Sequence, residues 1–209
     1  MNLPNHIKIS SEDEKTTHII LQNKDEQAVW DRFLKGDKAA LSYIYRTWAR
    51  PLYNFGRQFS KHEVVQDCIQ DLFYDLIRAR HKLGQCTSVR AYLYASLRRK
   101  ILRATQKLRH EVDQGQNEAE TAFRIAFVPE KTGFAHEELV VQKEQLQQAC
   151  NQLPPRQREI ILLYYFEEFS YQEIMQIMEF DKVSSARTLV YRALNSLRKQ
   201  LAGNRNNPF

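Results

Sequence analysis

The chain has 209 residues, a length that suits one large domain or two small ones. It carries 31 Lys and Arg against 25 Asp and Glu, and the resulting formal net charge of +6 at pH 7 weakly favours an anionic partner. Three widely spaced cysteines without a CxxC pair argue against a disulfide framework or zinc cluster and indicate a reducing compartment. No signal-peptide pattern opens the chain and no apolar run approaches the roughly 18 residues of a membrane span, so we expect a cytoplasmic protein without membrane insertion.

The first part of the chain has mainly helical patterning. Residues 1–24 are polar and aperiodic, and we interpret them as a flexible tail. From residue 25 apolar side chains recur at helical spacing, with Gly36 placed as a helix C-cap and Asp37 as the next N-cap. Pro51 is expected to bend or divide that second helix. With only six Gly and six Pro, the composition favours an all-α fold.

The segment HEVVQDCIQDLFYDLIRAR, residues 62–80, predicts an amphipathic helix of about five turns. Its apolar stripe consists of Val65, Ile69, Leu72, Phe73, Leu76 and Ile77. Asp67, Asp71 and Asp75 recur every four residues and line up along its polar side. Such a row can be a metal site, a catalytic site or a docking surface, and its spacing leaves all three open.

A basic segment follows, because residues 76–110 contain ten Lys or Arg and no Asp or Glu. These residues are Arg78, Arg80, Lys82, Arg90, Arg98, Arg99, Lys100, Arg103, Lys107 and Arg109, with Tyr92 and Tyr94 between them. A solvated basic helix face is the plain interpretation of any single arginine. The whole run requires acidic neighbours or a polyanion to relieve its own repulsion. Guanidinium groups beside aromatic rings suit phosphates and unstacked bases, which favours nucleic acid.

A break in periodicity divides the chain. We interpret residues 109–136 as a linker, with a short helix near residues 121–127. Helical pattern resumes at residue 137, and the prolines at 154–155 are expected to begin another helix. Residues 203–209 are assigned to a C-terminal tail.

The C-terminal part has a helix-turn-helix pattern. Ser170 and Glu173 form a predicted capping box that opens the short helix YQEIMQIM, followed by the turn EFDK and a longer helix. The longer helix buries Ala186, Leu189, Val190, Ala193, Leu194 and Leu197. Its exposed start carries Lys182, Ser184, Ser185, Arg187, Thr188, Tyr191 and Arg192, side chains that can read base edges. An ordinary helical hairpin with a basic face is the alternative.

Two blocks of the chain resemble bacterial RNA polymerase sigma factors. GDKAALSYIYRTWARPLYNF, DCIQDLFYDLIR and VRAYLYASLRRKIL are similar to the second conserved region, and NQLPPRQREIILLYYFEEFSYQEIMQIM with ARTLVYRALNSLRKQL to the fourth. Their order and spacing resemble the small extracytoplasmic-function sigma factors. The resemblance implies two helical domains, region 2 at 25–108 and region 4 at 137–202, joined by the flexible linker. It also implies promoter-specific transcription initiation, with no catalysis, metal or cofactor.

The same resemblance implies roles for individual residues. Asp67, Gln70 and Asp71 would dock on the clamp of the largest subunit of core RNA polymerase, whose flap is a second contact. The loop Gly84–Ser88 would capture a base turned out of the −10 element. The non-template strand of the −10 element would be held by Arg90, Tyr92, Arg98, Arg99, Lys100 and Arg103. The exposed start of the last helix would read the −35 element as duplex, and an anti-sigma factor is a further implied partner.

Two other functions compete with this interpretation. The aspartate row could bind a divalent metal for nuclease chemistry, although Asp75 lies about 80° from the direction of Asp67 on an ideal helix. Alternatively, the chain could be a helix-turn-helix regulator with an N-terminal sensing domain. That regulator would leave the acid-free segment 76–110 unexplained.

Overall fold

The computed structural model describes residues 26–112 and 137–205. All regular structure in these two ranges is helical, without strands, which confirms the all-α prediction. The predicted tail at 1–24 and the short helix near 121–127 lie outside the described residues. Among the described helices, none combines the length and apolarity needed to cross a membrane.

The N-terminal bundle contains four helices. They are α1 (residues 26–34), α2 (Lys38–Gly56), α3 (His62–Ala79) and α4 (Val89–Val112), with a 3₁₀ turn at Arg80–Lys82 after α3. Helix α4 therefore continues four residues beyond the predicted end of the second region at 108.

The turn between α1 and α2 follows from two adjacent residues. Gly36 adopts φ +95°, a left-handed conformation that glycine enters without a Cβ clash. Asp37 then caps α2, because its carboxylate accepts from the backbone N–H groups of Ala39 at 2.7 Å and Ala40 at 3.3 Å. Pro51 lies inside α2, which continues through it without interruption, so the proline does not divide the helix.

The core of the N-terminal bundle surrounds α4. Aromatic and aliphatic side chains from α1, α2 and α3 pack against it; the largest are Trp30, Phe33, Ile44, Leu52, Phe55, Leu76, Leu93, Leu97 and Ile101. The predicted stripe of α3 needs one correction: Ile77 is 49% exposed, whereas Cys68 is buried. On an ideal helix Ile77 lies about 110° from the centre of the buried stripe, outside its half-width.

The C-terminal bundle contains α5 (Glu137–Gln152), α6 (Pro155–Ile161), α7 (Tyr171–Ile177) and α8 (Val183–Arg205). A π-helical segment, Leu162–Phe166, ends the helix that the sequence predicted after the two prolines. The capping box at Ser170 and Glu173 is present. Glu179 adopts φ +56° in the turn between α7 and α8, and α8 continues into the residues assigned to a tail.

We predict that Gly56→Ala destabilises the N-terminal bundle by about 1–3 kcal/mol, because overpacking a filled core forces neighbouring side chains apart. A Cβ at Gly56 would lie 2.6 Å from Val65 Cγ1 and 3.0 Å from Ile101 Cδ1. Chemical denaturation checks the loss. Gly84→Ala is the matched control, since a Cβ there meets nothing within 4 Å. Equal stability of the two variants would contradict the packing account.

Candidate nucleic-acid interface and docking surface

The acidic face of α3 is open to solvent. The buried positions of α3 turn Asp67, Gln70 and Asp71 outward, and all three are exposed. Asp75 differs from them, because its carboxylate accepts from Lys100 Nζ on α4 at 2.6 Å. No group of three or more His, Cys, Asp or Glu within the described ranges is arranged to hold a metal ion. The arrangement suits contact with a basic partner surface.

The loop Gly84–Ser88 connects the end of α3 to α4 and is held at both ends. The Gly84 carbonyl accepts from the Trp30 indole N–H at 3.1 Å, and Ser88 Oγ accepts from the Ala91 N–H at 3.1 Å. Gly84 is exposed, whereas Ser88 is buried. Burial raises the pKa of the Cys86 thiol to about 11, so at neutral pH it is a neutral, weakly nucleophilic group.

Four of the predicted strand-holding residues share one groove. Tyr92, Arg99, Lys100 and Arg103 recur along one side of α4 and face α3 across a cavity of about 200 Å³. Arg99 and Arg103 are exposed, and the Tyr92 ring packs edge-on against Trp30 with 5.5 Å between centroids. The groove therefore combines cationic and aromatic groups, the chemistry that phosphates and unstacked bases require.

The other two predicted strand-holding residues, Arg90 and Arg98, face the C-terminal bundle. Arg98 is 8% exposed and pairs with Glu159, through Nε to Oε1 at 2.5 Å and Nη2 to Oε2 at 3.2 Å. Glu159 is itself 4% exposed. This is a buried, bidentate guanidinium–carboxylate pair, the geometry in which Arg also binds phosphate.

Arg90 is enclosed by a second set of contacts. Its Nη2 donates to the Glu167 carboxylate at 3.0 Å and also to the Glu167 carbonyl. Its guanidinium carbon lies 4.0 Å from the centre of the Phe169 ring, a cation–π contact. Both Glu167 and Phe169 follow the π-helical segment. Arg90 thus contacts the C-terminal bundle by charge and by ring stacking.

Two neighbours of these arginines extend the same contact. The Tyr94 hydroxyl donates to Glu167 Oε2 at 2.7 Å, and its ring packs against Phe169 with 4.9 Å between centroids. Burial, and then the adjacent Glu167 charge, raise the pKa of Tyr94, which keeps the phenol protonated as a donor. Ser88 Oγ donates to Glu173 Oε1 at 2.8 Å. We call these contacts of Ser88, Arg90, Tyr94 and Arg98 with the C-terminal bundle the carboxylate seam.

The start of α8 forms a separate exposed surface. Ala186, Val190 and Ala193 are buried, which orients the intervening residues outward. All seven predicted −35 residues are exposed: Lys182, Ser184, Ser185, Arg187, Thr188, Tyr191 and Arg192. The Arg187 guanidinium lies 5.4 Å from the centre of the Tyr171 ring on α7, which supports its stem while its donors stay accessible.

The structure adds functional candidates that sequence reasoning missed. Glu159, Glu167 and Glu173 come from three different parts of the C-terminal bundle. Glu159 and Glu167 belong to no recognisable motif, and Glu173 was predicted only as part of the capping box of α7. The available signal was indirect: an acid-free basic run requires acidic neighbours from elsewhere. Nothing in the sequence identifies which carboxylates those are.

Two family models match the chain. "Sigma-70 region 2" matches residues 44–111 and "Sigma-70, region 4" matches residues 143–197, together more than half of the 209 residues. The region 2 match accounts for the N-terminal bundle, which the regulator alternative assigned to a sensing domain. A comparison with curated protein sequences found no match.

Solved structures with a similar fold include two proteins that span both bundles. The sigma factor RpoE in complex with the anti-sigma factor NepR, from Bartonella quintana, has a TM-score of 0.58 at 22% identity, covering 77% of this chain and 96% of that one. CnrH in complex with the cytosolic domain of CnrY has a TM-score of 0.57 at 15% identity, covering 85% and 97%. At these identities the matches establish the fold.

Proposed function

The chain belongs to the sigma-70 family. We propose that it is an extracytoplasmic-function sigma factor that directs transcription initiation, and that separate exposed surfaces serve polymerase docking and promoter recognition. The N-terminal bundle corresponds to region 2 and the C-terminal bundle to region 4. Region 2 docks on core RNA polymerase and holds the −10 strand, while region 4 contacts the flap and reads the −35 duplex. The protein performs no chemistry of its own and acts in the bacterial cytoplasm.

The observation that carries this proposal is the exposure of the whole −35 set on α8. Seven polar or aromatic side chains lie along one helical start, and the opposite side is buried on α6 and α7. This is the position of the recognition helix in helix-turn-helix proteins, whose N-terminal residues contact base edges in the major groove. Arg187 is the candidate for a bidentate contact with guanine.

The acidic face of α3 suits docking on a basic helical surface. Asp67, Gln70 and Asp71 are exposed, and Tyr74 beside them is 64% exposed, so charge and an aromatic contact are available together. Opposite charges at such an interface accelerate association and set its register. We assign this face to the clamp of the largest polymerase subunit.

The groove on α4 suits the non-template strand of the −10 element. Extruding a base costs a few kcal/mol of lost stacking. Tyr92 offers a ring, Arg99 and Arg103 offer phosphate contacts, and the loop Gly84–Ser88 lies at the start of the same helix. Stacking on aromatic groups and neutralisation of phosphates offset that free energy.

We also propose an anti-sigma factor as a partner. The supporting observation is that the RpoE structure contains the anti-sigma factor NepR, and the CnrH structure contains the cytosolic domain of CnrY. Such a partner would control access to the polymerase-docking and promoter-binding surfaces of this chain.

The proposed function is tested by in vitro transcription with purified core RNA polymerase and a promoter library from the same genome. We expect this protein alone to confer initiation at sites that share two spaced elements. Binding to duplex DNA while core polymerase stays silent would instead favour a helix-turn-helix regulator.

Reversing the charge of the docking face should weaken polymerase binding. We expect Asp67→Lys with Asp71→Lys to reduce affinity for core polymerase at least tenfold, since like charges would face each other across the interface. Both side chains are exposed, so circular dichroism and thermal unfolding should change little. Glu144→Lys with Glu168→Lys, at two exposed positions outside α3, is the charge-matched control. Unchanged affinity of the aspartate variant would remove the clamp assignment.

Truncating Arg187 should affect promoter binding alone. We expect Arg187→Ala to weaken binding to −35 duplex by about 1–3 kcal/mol, the contribution of one bidentate base contact. Electrophoretic mobility and polymerase pull-down assays measure the two activities separately. Simultaneous loss of core binding would show that the residue acts on the fold instead.

A further inference from the structure

The carboxylate seam and the −10 strand require the same arginines. Arg98 directs both of its hydrogen-bonding nitrogens at Glu159, and Arg90 directs Nη2 at Glu167. A strand phosphate needs the same planar guanidinium fork. Arg98 is also 8% exposed, so a strand cannot reach it in this arrangement. The two ligands therefore exclude each other.

The contact with region 4 covers some of the proposed binding residues and leaves others exposed. Asp67, Gln70 and Asp71 remain exposed on α3, and the −35 residues remain exposed on α8. Arg99 and Arg103 also keep their exposure in the groove of α4, and Arg99 Nε lies 3.9 Å from Glu179 Oε1 in region 4. The covered part of region 2 faces α6, α7 and the π-helical segment. The docking face and the start of α8 are thus accessible in the closed arrangement, whereas the full strand site is not.

We propose that region 4 masks part of the −10 strand site within the same chain, with Glu159 and Glu167 occupying Arg98 and Arg90 in place of strand phosphates. This inference rests on the proposed role of these arginines in holding the strand. Opening exchanges each carboxylate for a phosphate, so the guanidinium groups remain paired in both states. The chain binds the strand with only part of its site until separation of regions 2 and 4 releases Arg90 and Arg98.

Ring contacts reinforce the masked state. Phe169 lies against both Arg90 and Tyr94, and Tyr94 donates to Glu167. Ser88, at the end of the proposed base-capturing loop, is tied to Glu173 by a further hydrogen bond. The seam therefore covers the end of the loop as well as the first three turns of α4. A single movement of region 4 would uncover all of these groups together.

Charge-neutral variants test the mask in the full-length chain. We expect Glu159→Gln with Glu167→Gln to raise the radius of gyration in small-angle X-ray scattering. The same variant should bind a fluorescein-labelled oligothymidylate of about 20 nucleotides at least about fivefold more tightly by anisotropy, because apparent affinity scales with the binding-competent fraction. Affinity for core polymerase should not change, since the docking face is exposed in both states.

The control is Glu144→Gln with Glu168→Gln, which makes the same change in net charge at two exposed positions of region 4. Glu167→Gln alone serves as a milder variant if circular dichroism shows that the double variant loses helix. An unchanged radius and unchanged oligonucleotide affinity would overturn the proposal. Equal tightening in the control would also overturn it, since general charge would then be the cause.

These outcomes are separable from failure of the proposed function. If the wild-type chain initiates transcription with core polymerase and the glutamine variants stay compact, only the mask is wrong. If core polymerase remains silent with every variant, the assignment of the promoter surfaces fails irrespective of how the bundles move.

Discussion

The ion pair between Arg98 and Glu159 joins the two helical bundles, and the arrangement of the other surfaces depends on it. Both side chains are almost fully buried and bonded through two nitrogen–oxygen contacts. Burying two charges is expensive, and their attraction offsets that desolvation only when geometry and hydrogen bonding are good. Such a pair contributes little net stability, but removing one partner leaves an uncompensated charge. It therefore specifies which surfaces meet more than it strengthens their association.

Helix α4 has a different partner on each of its sides. Leu93, Leu97 and Ile101 face the core of region 2, and Arg99 and Arg103 face the groove toward α3. The side carrying Arg90, Tyr94 and Arg98 faces region 4. One helix thereby links the stability of region 2, the proposed strand contacts and the position of region 4.

The three aspartates of the α3 row have different surroundings. Asp75 is held by Lys100, whereas Asp67 and Asp71 remain exposed beside Gln70. A catalytic metal site needs several ligands converging on one point, and no such group occurs in the described ranges. The proposed docking role of Asp67 and Asp71 needs only exposed charge, which both side chains have.

Local signals predicted much of the fold. The sequence predicted four local features: the cap at Asp37, the helix end at Gly36, the capping box of α7 and the start of α8. Each of them depends on a few neighbouring residues. The exposed −35 set was also predictable, since helical periodicity assigns its sides. Helical periodicity did not predict the exposure of Ile77, which lies at the edge of the apolar stripe of α3. It also did not predict the π-helical backbone of Leu162–Phe166.

The sequence by itself determined the helical class, the order of the two regions and the residue types available for docking and DNA contact. The basic run at 76–110 showed that acidic neighbours or a polyanion were required, but not which. Only the tertiary structure paired Arg90 with Glu167 and Arg98 with Glu159, across 77 and 61 residues of chain. Pairings at that separation depend on how two bundles pack, and no local propensity encodes them.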